Sequence, residues 1–331
     1  MRILTGADVR QALSMDRAIQ TMKAAFAALS GGRATVPPRI HLGVDRHDGI
    51  TLVMPALVDT PAGEALAVKV VSLFGGNSKL GLPRLQAAVL ALDPRTGQVL
   101  GLLEGAALTA LRTGAASGAA TDLLARPDSQ SVAILGAGVQ GRTQLEAVCT
   151  VRPIQTAWVY DVLPEKADAL AAELAGRGPI PRDIRRARSA GEAVAQADIV
   201  CTATTTREPA FADSDIRPGT HINAVGSYQP EVREIPTETV VRARVFVDRI
   251  ADALAEAGDL IQPIRQGAIG PDHVAGEVGE LVLGRKAGRT GPEQVTLFKS
   301  VGVAVQDALA AQAALERAGQ LGIGLELDWT S

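Results

Sequence analysis

The pattern of apolar positions changes twice along the chain. Over residues 5–32 apolar side chains recur near helical spacing and Gly31-Gly32 ends the pattern, so a helix is predicted there. From about Val36 to Leu103 the pattern becomes short apolar runs broken by Gly, Pro and Asp, which predicts a mostly antiparallel sheet. The segment "DPRTGQ", residues 93–98, predicts a turn between two of its strands.

The second change follows a stretch of small residues, "ALTALRTGAASGAATDLLARPDSQ", which predicts a helix ending near Arg126-Pro127. Beyond it strand-like and helix-like segments alternate in the order of a doubly wound parallel sheet. The last long pattern, residues 296–324, is helical and could return to the first domain. The strands are predicted at 131–135, 156–161, 198–204, 220–227 and 244–249, and the helices from about 140, at 164–176 and at 189–197.

One glycine motif lies at the start of this alternation. The stretch "SVAILGAGVQGRTQLEAV" places Gly136, Gly138 and Gly141 between a predicted strand and a predicted helix. In dinucleotide-binding proteins such glycines permit a tight turn, the approach of a pyrophosphate, and close packing of helix on strand. The next strand ends at Asp161, a carboxylate that accepts hydrogen bonds from ribose hydroxyls and repels a 2′-phosphate. The motif therefore predicts a dinucleotide site and favours NAD over NADP.

Other interpretations of these residues stay open. The glycines could form an ordinary turn without a ligand, and Asp161 could be a solvated strand end. Arg142 or Lys166 could still accommodate the 2′-phosphate of NADP.

Three isolated cations precede the motif. Lys69 interrupts the apolar strand "ALAVKVVSLF", while Arg39 and Arg112 lie among apolar or small residues. Guanidinium groups bind carboxylates bidentately, and an ammonium can complete an anion pocket. The three residues predict a site for a small carboxylate that faces the nicotinamide; the alternative is that each is a surface cation with a buried stem.

Composition narrows the classes of function. A chain of 331 residues favours two domains, and a net charge of −3 gives no basic field for nucleic acid. Two cysteines, Cys149 and Cys201, are too few for a disulfide framework, and the charged N-terminus lacks the apolar core of a signal peptide, so we expect a cytoplasmic protein. No uninterrupted apolar run reaches the length of a membrane span, and we expect no membrane partner. The histidines have no ligand-like spacing, so no metal site is predicted at His41, His47, His221 or His273.

Seven blocks follow one another over nearly the whole chain: "RIHLG", "MPA", "LAVKVVSLFGGN", "GLPRLQAAVLALDPRTGQVLGLLEGAALTALRTGAASGAATDLLA", "ILGAGVQGRTQLEAV", "INAVGSYQPEVREI" and "GRTGPEQVTLFKSVGVAVQD". In order and spacing they resemble the ornithine cyclodeaminase and μ-crystallin family. The resemblance implies an α/β fold in which a Rossmann doubly wound parallel sheet is inserted into a mixed α+β domain. It also implies a homodimer formed through that mixed domain.

The resemblance implies domain limits and site residues. Residues 1–117 with 304–331 would form the substrate-binding and dimerisation domain, and 118–303 the NAD(P)-binding domain. Arg39 and Arg112 would bind the substrate carboxylate, and Lys69 would lie beside the reacting carbon and nitrogen. The "SVGVAVQD" segment would border the nicotinamide. The cofactor would contact Gly136, Gly138, Val139, Gln140, Gly141, Asp161, Thr113, Val225, Ser300 and Gly302.

The chain departs from the cyclodeaminase pattern at two positions. Ser227-Tyr228 stands where cyclodeaminases have an acidic residue, and Leu52 stands where they have a glutamate two residues before Met54-Pro55. An apolar Leu52 cannot pair with a substrate ammonium, which argues against ornithine cyclisation. The segment "GSYQPEVRE" is more similar to the reductase and dehydrogenase branches of the family.

These features predict hydride transfer between the nicotinamide and the α-carbon of a small imino or amino acid. Lys69 would stabilise or protonate the nitrogen, and two neighbouring arginines should lower its pKa toward neutrality. Two alternatives stay open: an ornithine cyclodeaminase, and a binding protein without turnover. Glu231 is either a compensating acid or a solvated side chain, and Asp307 is either a helix-terminus carboxylate or a group that supports the site.

Overall fold

The computed structural model describes residues 1–329, apart from the side chain of Ser78. The chain forms two compact units, Met1–Arg112 with Val303–Ser331, and Thr113–Gly302. We call the first the mixed-sheet unit and the second the parallel-sheet unit. The family resemblance implies divisions at 117/118 and 303/304. Residues 330 and 331, which the resemblance assigns to the first domain, lie outside the described residues.

The secondary structure accounts for most of both units. In chain order the elements are β1 (Arg2–Leu4), α1 (Gly6–Ala12), α2 (Met15–Ser30), β2 (Ala34–Thr35), β3 (Ile40–Val44), β4 (Gly49–Thr60), β5 (Gly63–Phe74), β6 (Leu85–Leu92), β7 (Val99–Glu104), α3 (Gly105–Leu124), β8 (Ser131–Leu135), α4 (Val139–Val151), β9 (Thr156–Tyr160), α5 (Pro164–Leu174), β10 (Asp183–Arg186), α6 (Ala190–Ala195), β11 (Ile199–Thr202), β12 (His221–Ala224), α7 (Thr237–Arg242), β13 (Arg244–Val247), α8 (Ile250–Glu256), α9 (Gly258–Arg265), β14 (Val274–Glu277), α10 (Val278–Val282), β15 (Thr296–Lys299), α11 (Ala304–Leu321) and β16 (Leu325–Glu326).

The mixed-sheet unit is built on one sheet in the order β16-β1-β7-β6-β5-β4-β2, with β3 also paired to β4. Neighbouring strands from β3 to β7 run antiparallel, and within the described part of this sheet only β1 and β7 pair in parallel. Helices α2 and α11 pack against each other, and both contact β4. The predicted antiparallel strands and the turn at 93–98 are present, with the amide of Asp93 donating to the carbonyl of Gln98.

The helix predicted over residues 5–32 is two helices, α1 and α2. Ser14 takes an extended conformation at the start of α2, with φ −64° and ψ 155°, and this breaks the helical run. The physical signal is the short polar side chain before Met15 and Asp16, which is typical of a helix N-terminus. Leu13, at the break, is buried at 1 % exposure, so the apolar spacing continues from one helix to the next although the helix itself does not.

The parallel-sheet unit confirms the Rossmann prediction. Its strands follow the order β10-β9-β8-β11-β12-β15-β13-β14, and every pairing is parallel. The central strands β11, β12 and β15 are buried along their whole length. This burial is expected because helices cover both faces of a parallel sheet, and the polar residues of β12 and β15 make hydrogen bonds within the protein.

The helix predicted over 296–324 was wrong at its start. Residues Thr296–Lys299 form β15 between β12 and β13, and the helix begins only at Ala304. A short strand buried on both faces need not show the alternation that distinguishes a strand from a helical segment, so the sequence pattern alone does not separate Thr296–Lys299 from the helix that follows. Gly302, with φ +79°, turns the chain between the two elements. Among residues 1–329 no helix combines the length and apolarity needed to span a bilayer.

Candidate active site

The glycine motif forms the turn between β8 and α4. Gly136 has φ +97°, a conformation that favours glycine, and its amide donates to the carbonyl of Tyr160 at 2.8 Å. A Cβ on Gly136 would lie 2.5 Å from the carbonyl oxygen of Ala203, and one on Gly141 would overlap the carbonyl oxygen of Gly136. Two of the three glycines are therefore required by the packing of the protein itself.

Gly138 is different. It precedes the first residue of α4, and a Cβ placed on it would meet no protein atom within 4 Å. Nothing in the described chain requires glycine at this position, but a bound phosphate approaching the first amides of α4 would. The turn thus fits a dinucleotide pyrophosphate, with Val139 and Gln140 supplying amides at the helix N-terminus.

Asp161 lies beside this turn. Its carboxylate accepts hydrogen bonds from the amide of Ala137 at 2.8 Å and from the amide of Leu163 at 3.0 Å. A carboxylate has about four acceptor positions, so both oxygens keep capacity for ribose hydroxyls. The sequence offers Arg142 as a partner for the 2′-phosphate of NADP. In the structure its guanidinium forms an ion pair with Glu173 instead.

The other predicted cofactor residues lie in two groups. Thr113 is buried in α3, and Val225 is half-buried directly after β12, where its amide donates to the carbonyl of Thr202 at 3.0 Å. Ser300 and Gly302 lie in the segment after β15, and both donate to the carboxylate of Asp248, at 2.9 and 2.7 Å. The hydroxyl of Ser300 is therefore already bonded within the protein.

Asp248 is a structural residue that the sequence reasoning missed. It directly follows β13, is fully buried, and also accepts hydrogen bonds from the amides of Arg249 and Val301. Because one carboxylate fixes three consecutive residues, 300 to 302, the segment is held in one conformation. An acidic residue directly after an apolar strand is the signal that could have identified it.

A second missed group joins the loop after β12 to the ends of β11 and β15 and to helix α9. Glu234 is fully buried and accepts hydrogen bonds from Thr202, Thr204 and the amide of Gly226. Lys299 and Asp259 belong to the same group, and both are fully buried. They form an ion pair at 2.8 Å. The ammonium also donates to the carbonyl of Ser227 at 2.5 Å. These charges fix the loop that contains the "GSYQPEVREI" block.

In the mixed-sheet unit, Lys69 and Arg112 converge on one carboxylate. Lys69 projects from β5 and Arg112 from α3, and Asp307 lies in the first turn of α11. The ammonium of Lys69 donates to one oxygen of Asp307 at 2.5 Å, and Nε of Arg112 donates to the other at 3.0 Å. Gln306 accepts a hydrogen bond from Nη1 of Arg112 at 2.8 Å. The exposures are only 2 % for Lys69, 5 % for Arg112 and 1 % for Asp307, so the interpretation of these two cations as surface residues was wrong.

Burial determines the charge properties of this group. It lowers the pKa of Lys69 to about 8; Asp307 opposes that shift, whereas the positive charges of Arg112 and Arg39 add to it. Burial also disfavours the ionised form of Asp307, but Arg112 and Lys69 outweigh it and hold the pKa of Asp307 below its usual value. The predicted fall in the Lys69 pKa is present, with burial rather than the arginines as its main cause.

Arg39 is half-buried and directly precedes β3. Its positive charge adds to the lowering of the Lys69 pKa, and we therefore group Arg39 with the other two cations. The group combines three cations with the carboxylate of Asp307, a composition that suits an anionic ligand. We call Arg39, Lys69, Arg112 and Asp307 the anion cluster.

The remaining residues considered from sequence have structural or solvent positions. Glu231 is exposed, and the hydroxyl of Ser227 donates to the carbonyl of Val232 at 2.6 Å. Cys201 is a buried core residue of β11, as expected. His221 is buried between Thr296 and Asn223, and burial lowers its pKa to about 3. No group of three metal-ligating side chains occurs in the part of the chain that the structure describes.

A parallel sheet of this order with a glycine turn at β8–α4 defines a dinucleotide-binding protein. The chain belongs to the ornithine cyclodeaminase/mu-crystallin family, whose sequence model matches residues 1–321. The resemblance inferred from sequence is therefore confirmed.

Three relatives define the similarity more closely. The structure of Thermococcus litoralis Δ1-pyrroline-2-carboxylate reductase in complex with NADH and L-proline has a TM-score of 0.94 at 45 % identity, covering 99 % of this chain and 100 % of that one. An archaeal alanine dehydrogenase dimer with bound NAD has a TM-score of 0.91 at 31 % identity, covering 99 % of each chain. A Δ1-pyrroline-2-carboxylate reductase of Bacillus cereus is 35 % identical over 330 residues, 99 % of this chain and 100 % of the relative.

Proposed function

We propose that the chain is an NAD(H)-dependent reductase that converts a small cyclic α-imino acid, of the Δ1-pyrroline-2-carboxylate type, into the L-amino acid. The observation that carries this proposal is the anion cluster, in which a buried lysine with a lowered pKa adjoins a buried arginine. A carboxylate ligand and a proton acceptor are the two features that an α-imino acid presents. Two of the relatives named above are Δ1-pyrroline-2-carboxylate reductases, and one of them was solved with NADH and L-proline.

Arg112 and Arg39 bind the substrate carboxylate. Asp307 and Gln306 accept hydrogen bonds from Nε and Nη1 of Arg112, and its Nη2 has no hydrogen-bond partner among residues 1–329. A guanidinium held on two of its nitrogens is fixed in orientation, so the third can donate to a ligand with little loss of side-chain entropy. Arg39 supplies the second cation.

Lys69 donates the proton to the imine nitrogen. One of its three N–H groups is bonded to Asp307, which leaves two for a substrate. A pKa of about 8 suits a group that must lose and regain a proton near neutral pH. When bound, reduced nicotinamide supplies the hydride that completes the reduction.

The cofactor-binding residues belong to the parallel-sheet unit. The first amides of α4 and the open position at Gly138 hold the pyrophosphate, and Asp161 holds the adenine ribose. Thr113, Val225, Ser300 and Gly302 contact the cofactor, with Asp248 fixing the last two.

Ornithine cyclisation lacks the residues it would need. Leu52 is 7 % exposed and pairs with Val71 across the sheet, so it offers no carboxylate to a substrate ammonium. At the second departure from the cyclodeaminase pattern, the Ser227 hydroxyl is bonded to the backbone carbonyl of Val232, and neither Ser227 nor Tyr228 supplies a carboxylate.

The function is tested by following NADH and NADPH oxidation with Δ1-pyrroline-2-carboxylate, Δ1-piperideine-2-carboxylate, or pyruvate plus ammonia or methylamine. We expect NADH oxidation in proportion to L-proline or L-pipecolate formed, and slower oxidation of NADPH. Ammonia release from ornithine with only catalytic NAD would instead identify a cyclodeaminase. Binding of NADH without turnover of any of these compounds would leave a binding protein.

We also propose that the mixed-sheet unit forms a homodimer. One face of its sheet packs on helices, yet the opposite face is apolar as well. On the second face, β4 and β5 pair Val53 with Val70 and Pro55 with Val68. Val68 also lies opposite Leu90 of β6. A sheet face exposed to water normally carries polar residues, so an apolar face is typical of an interface. The archaeal alanine dehydrogenase relative is a dimer, which supports a second copy of this chain as the occupant.

Val70→Glu is expected to convert the dimer to monomers. Val70 is 41 % exposed, and a symmetric interface would bring its charge close to the same face of the partner. Light scattering after size-exclusion chromatography measures the mass. Val241→Glu, at a position 43 % exposed on α7, is the matched control and should keep the mass of the parent. Equal masses for the two variants would contradict the proposed interface.

The two cysteines are compatible with a cytoplasmic location, which completes the proposal. Cys149 and Cys201 are both free and buried, so no disulfide stabilises the fold in the described chain.

A further inference from the structure

The carboxylate of Asp307 forms ion pairs with both Lys69 and Arg112. Helix α11 begins at Ala304, and the capping interaction between the amide of Val303 and Oε1 of Gln306, at 3.1 Å, fixes its first turn. That turn places the two oxygens of Asp307 on two different cations, and its side chain is 2 % exposed. Solvent therefore does not screen the interaction.

The anion cluster has one carboxylate for three cations. The groups that act on Lys69 from the neighbouring elements are Asp307 on α11, Arg112 on α3 and Arg39 before β3. Two of these repel the protonated form of Lys69, burial also disfavours it, and only Asp307 favours it. Without that carboxylate, burial and the two guanidinium groups would lower the pKa of Lys69 further.

We propose that Asp307 is the positioning residue that keeps Lys69 protonated and oriented toward the imine nitrogen, so that this site can donate a proton at neutral pH. The proposal rests on the function assigned above. In the reductive direction the imine carbon gains a hydride and NADH becomes NAD⁺. The nitrogen gains the proton from Nζ, and Lys69 is left neutral. Asp307 stays ionised throughout, and Lys69 regains a proton from solvent. In the oxidative direction neutral Lys69 accepts the proton.

The direct test is the pKa of Lys69, which does not require turnover. The chain has six lysines, so labelling lysine Cε with carbon-13 gives a spectrum that can be followed through a pH titration. The resonance absent from Lys69→Met identifies Lys69. In Asp307→Asn we expect its pKa to fall by about one to three units. Asp307→Glu, which keeps the charge, should return it toward the parent value.

Glu316→Gln is the matched control. Glu316 lies on the same helix with a side chain 53 % exposed, and its loss should leave the Lys69 resonance unchanged. An unchanged Lys69 pKa in Asp307→Asn would overturn the proposal.

The pH profile of the reaction adds a readout that a purely structural residue would not change. Imine reduction needs protonated Lys69, so the basic limb of kcat/KM should move to lower pH in Asp307→Asn. Because each unit of displacement is tenfold in the protonated fraction, reduction above the displaced limb should fall about 10- to 1,000-fold. Oxidation of the L-amino acid needs neutral Lys69, so its acid limb should move in the same direction by the same amount. Limbs that stay in place while the Lys69 resonance shifts would overturn the role of Asp307 in the reaction.

Removing Asp307 alone leaves buried cations uncompensated and can prevent folding. In that case the double variant Lys69→Met/Asp307→Asn tests whether the loss of stability comes from the charge of Lys69. If Asp307 serves Lys69, deleting both charges should recover part of the melting temperature lost in the single variant; no recovery would overturn the proposal. Failure of the parent protein to reduce any imino acid would refute the proposed function, whereas the titration of Lys69 would still report on Asp307.

Discussion

Lys69→Met is expected to lower kcat/KM for imine reduction by about 10²–10⁴-fold, the range for loss of a general acid. Methionine fills a similar volume without the ammonium, so the proton must come from elsewhere while the site keeps its shape. The affinity for NADH should not change, because the residues proposed to bind it belong to the parallel-sheet unit. Steady-state rates and a fluorescence titration with NADH measure the two quantities separately.

The fold should tolerate this change. Asp307 keeps its hydrogen bond from Arg112 at 3.0 Å when Lys69 is removed, so no buried carboxylate is left unpaired. Lys286→Met, at an exposed position, is the control for loss of a lysine charge and should retain the parent rate. A Lys69→Met enzyme with an unchanged rate would show that the anion cluster is not the catalytic site.

Gly138→Ala and Gly141→Ala are expected to fail in opposite ways. Alanine at 138 meets no protein atom within 4 Å and keeps an ordinary backbone conformation, φ −73°, so the melting temperature should stay close to that of the parent. Its methyl group would occupy the place of the pyrophosphate, and NADH affinity should fall by about tenfold or more, since even one lost hydrogen bond to a charged group corresponds to about 1.5–3 kcal/mol.

Alanine at 141 would instead overlap the carbonyl oxygen of Gly136, so α4 must shift from β8. Overpacking of this kind costs about 1–3 kcal/mol of folding stability or more, visible as a lower melting temperature without ligand. Gly291→Ala has open space around its Cβ in the same unit, and it should alter neither quantity. If Gly138→Ala and the parent bound NADH with equal affinity, the pyrophosphate would not lie at Gly138, and the proposed cofactor site would be wrong.

Much of the fold could be predicted because its signals are local. The antiparallel strands and the glycine turn carry short-range patterns that chain neighbours alone produce. Strand β15 could not be predicted in this way, because Thr296–Lys299 become a strand only by inserting between β12 and β13, which come from distant parts of the chain. Ser14 shows a local signal that was present in the sequence but outweighed by continuous apolar spacing.

The candidate site also contains some residues that local sequence signals identify and others that only long-range contacts bring into the site. Lys69, Arg39 and Arg112 could be selected because a cation among apolar residues is unusual in itself. Asp307 lies more than two hundred residues from Lys69 in the chain, and no periodicity reports that they meet. The same holds for Asp248, whose hydrogen bonds reach the segment 300–302 only in the folded unit.

The open position at Gly138 has an evolutionary consequence. Gly136 and Gly141 are held by the protein's own packing, so any descendant that keeps the fold must keep them small. If the pyrophosphate lies at Gly138 as proposed, position 138 is constrained by the ligand alone, and mutation there would become neutral once a lineage stopped using a dinucleotide. Larger residues accumulating at this single position would therefore distinguish members of the family that have abandoned the cofactor from those that still depend on it.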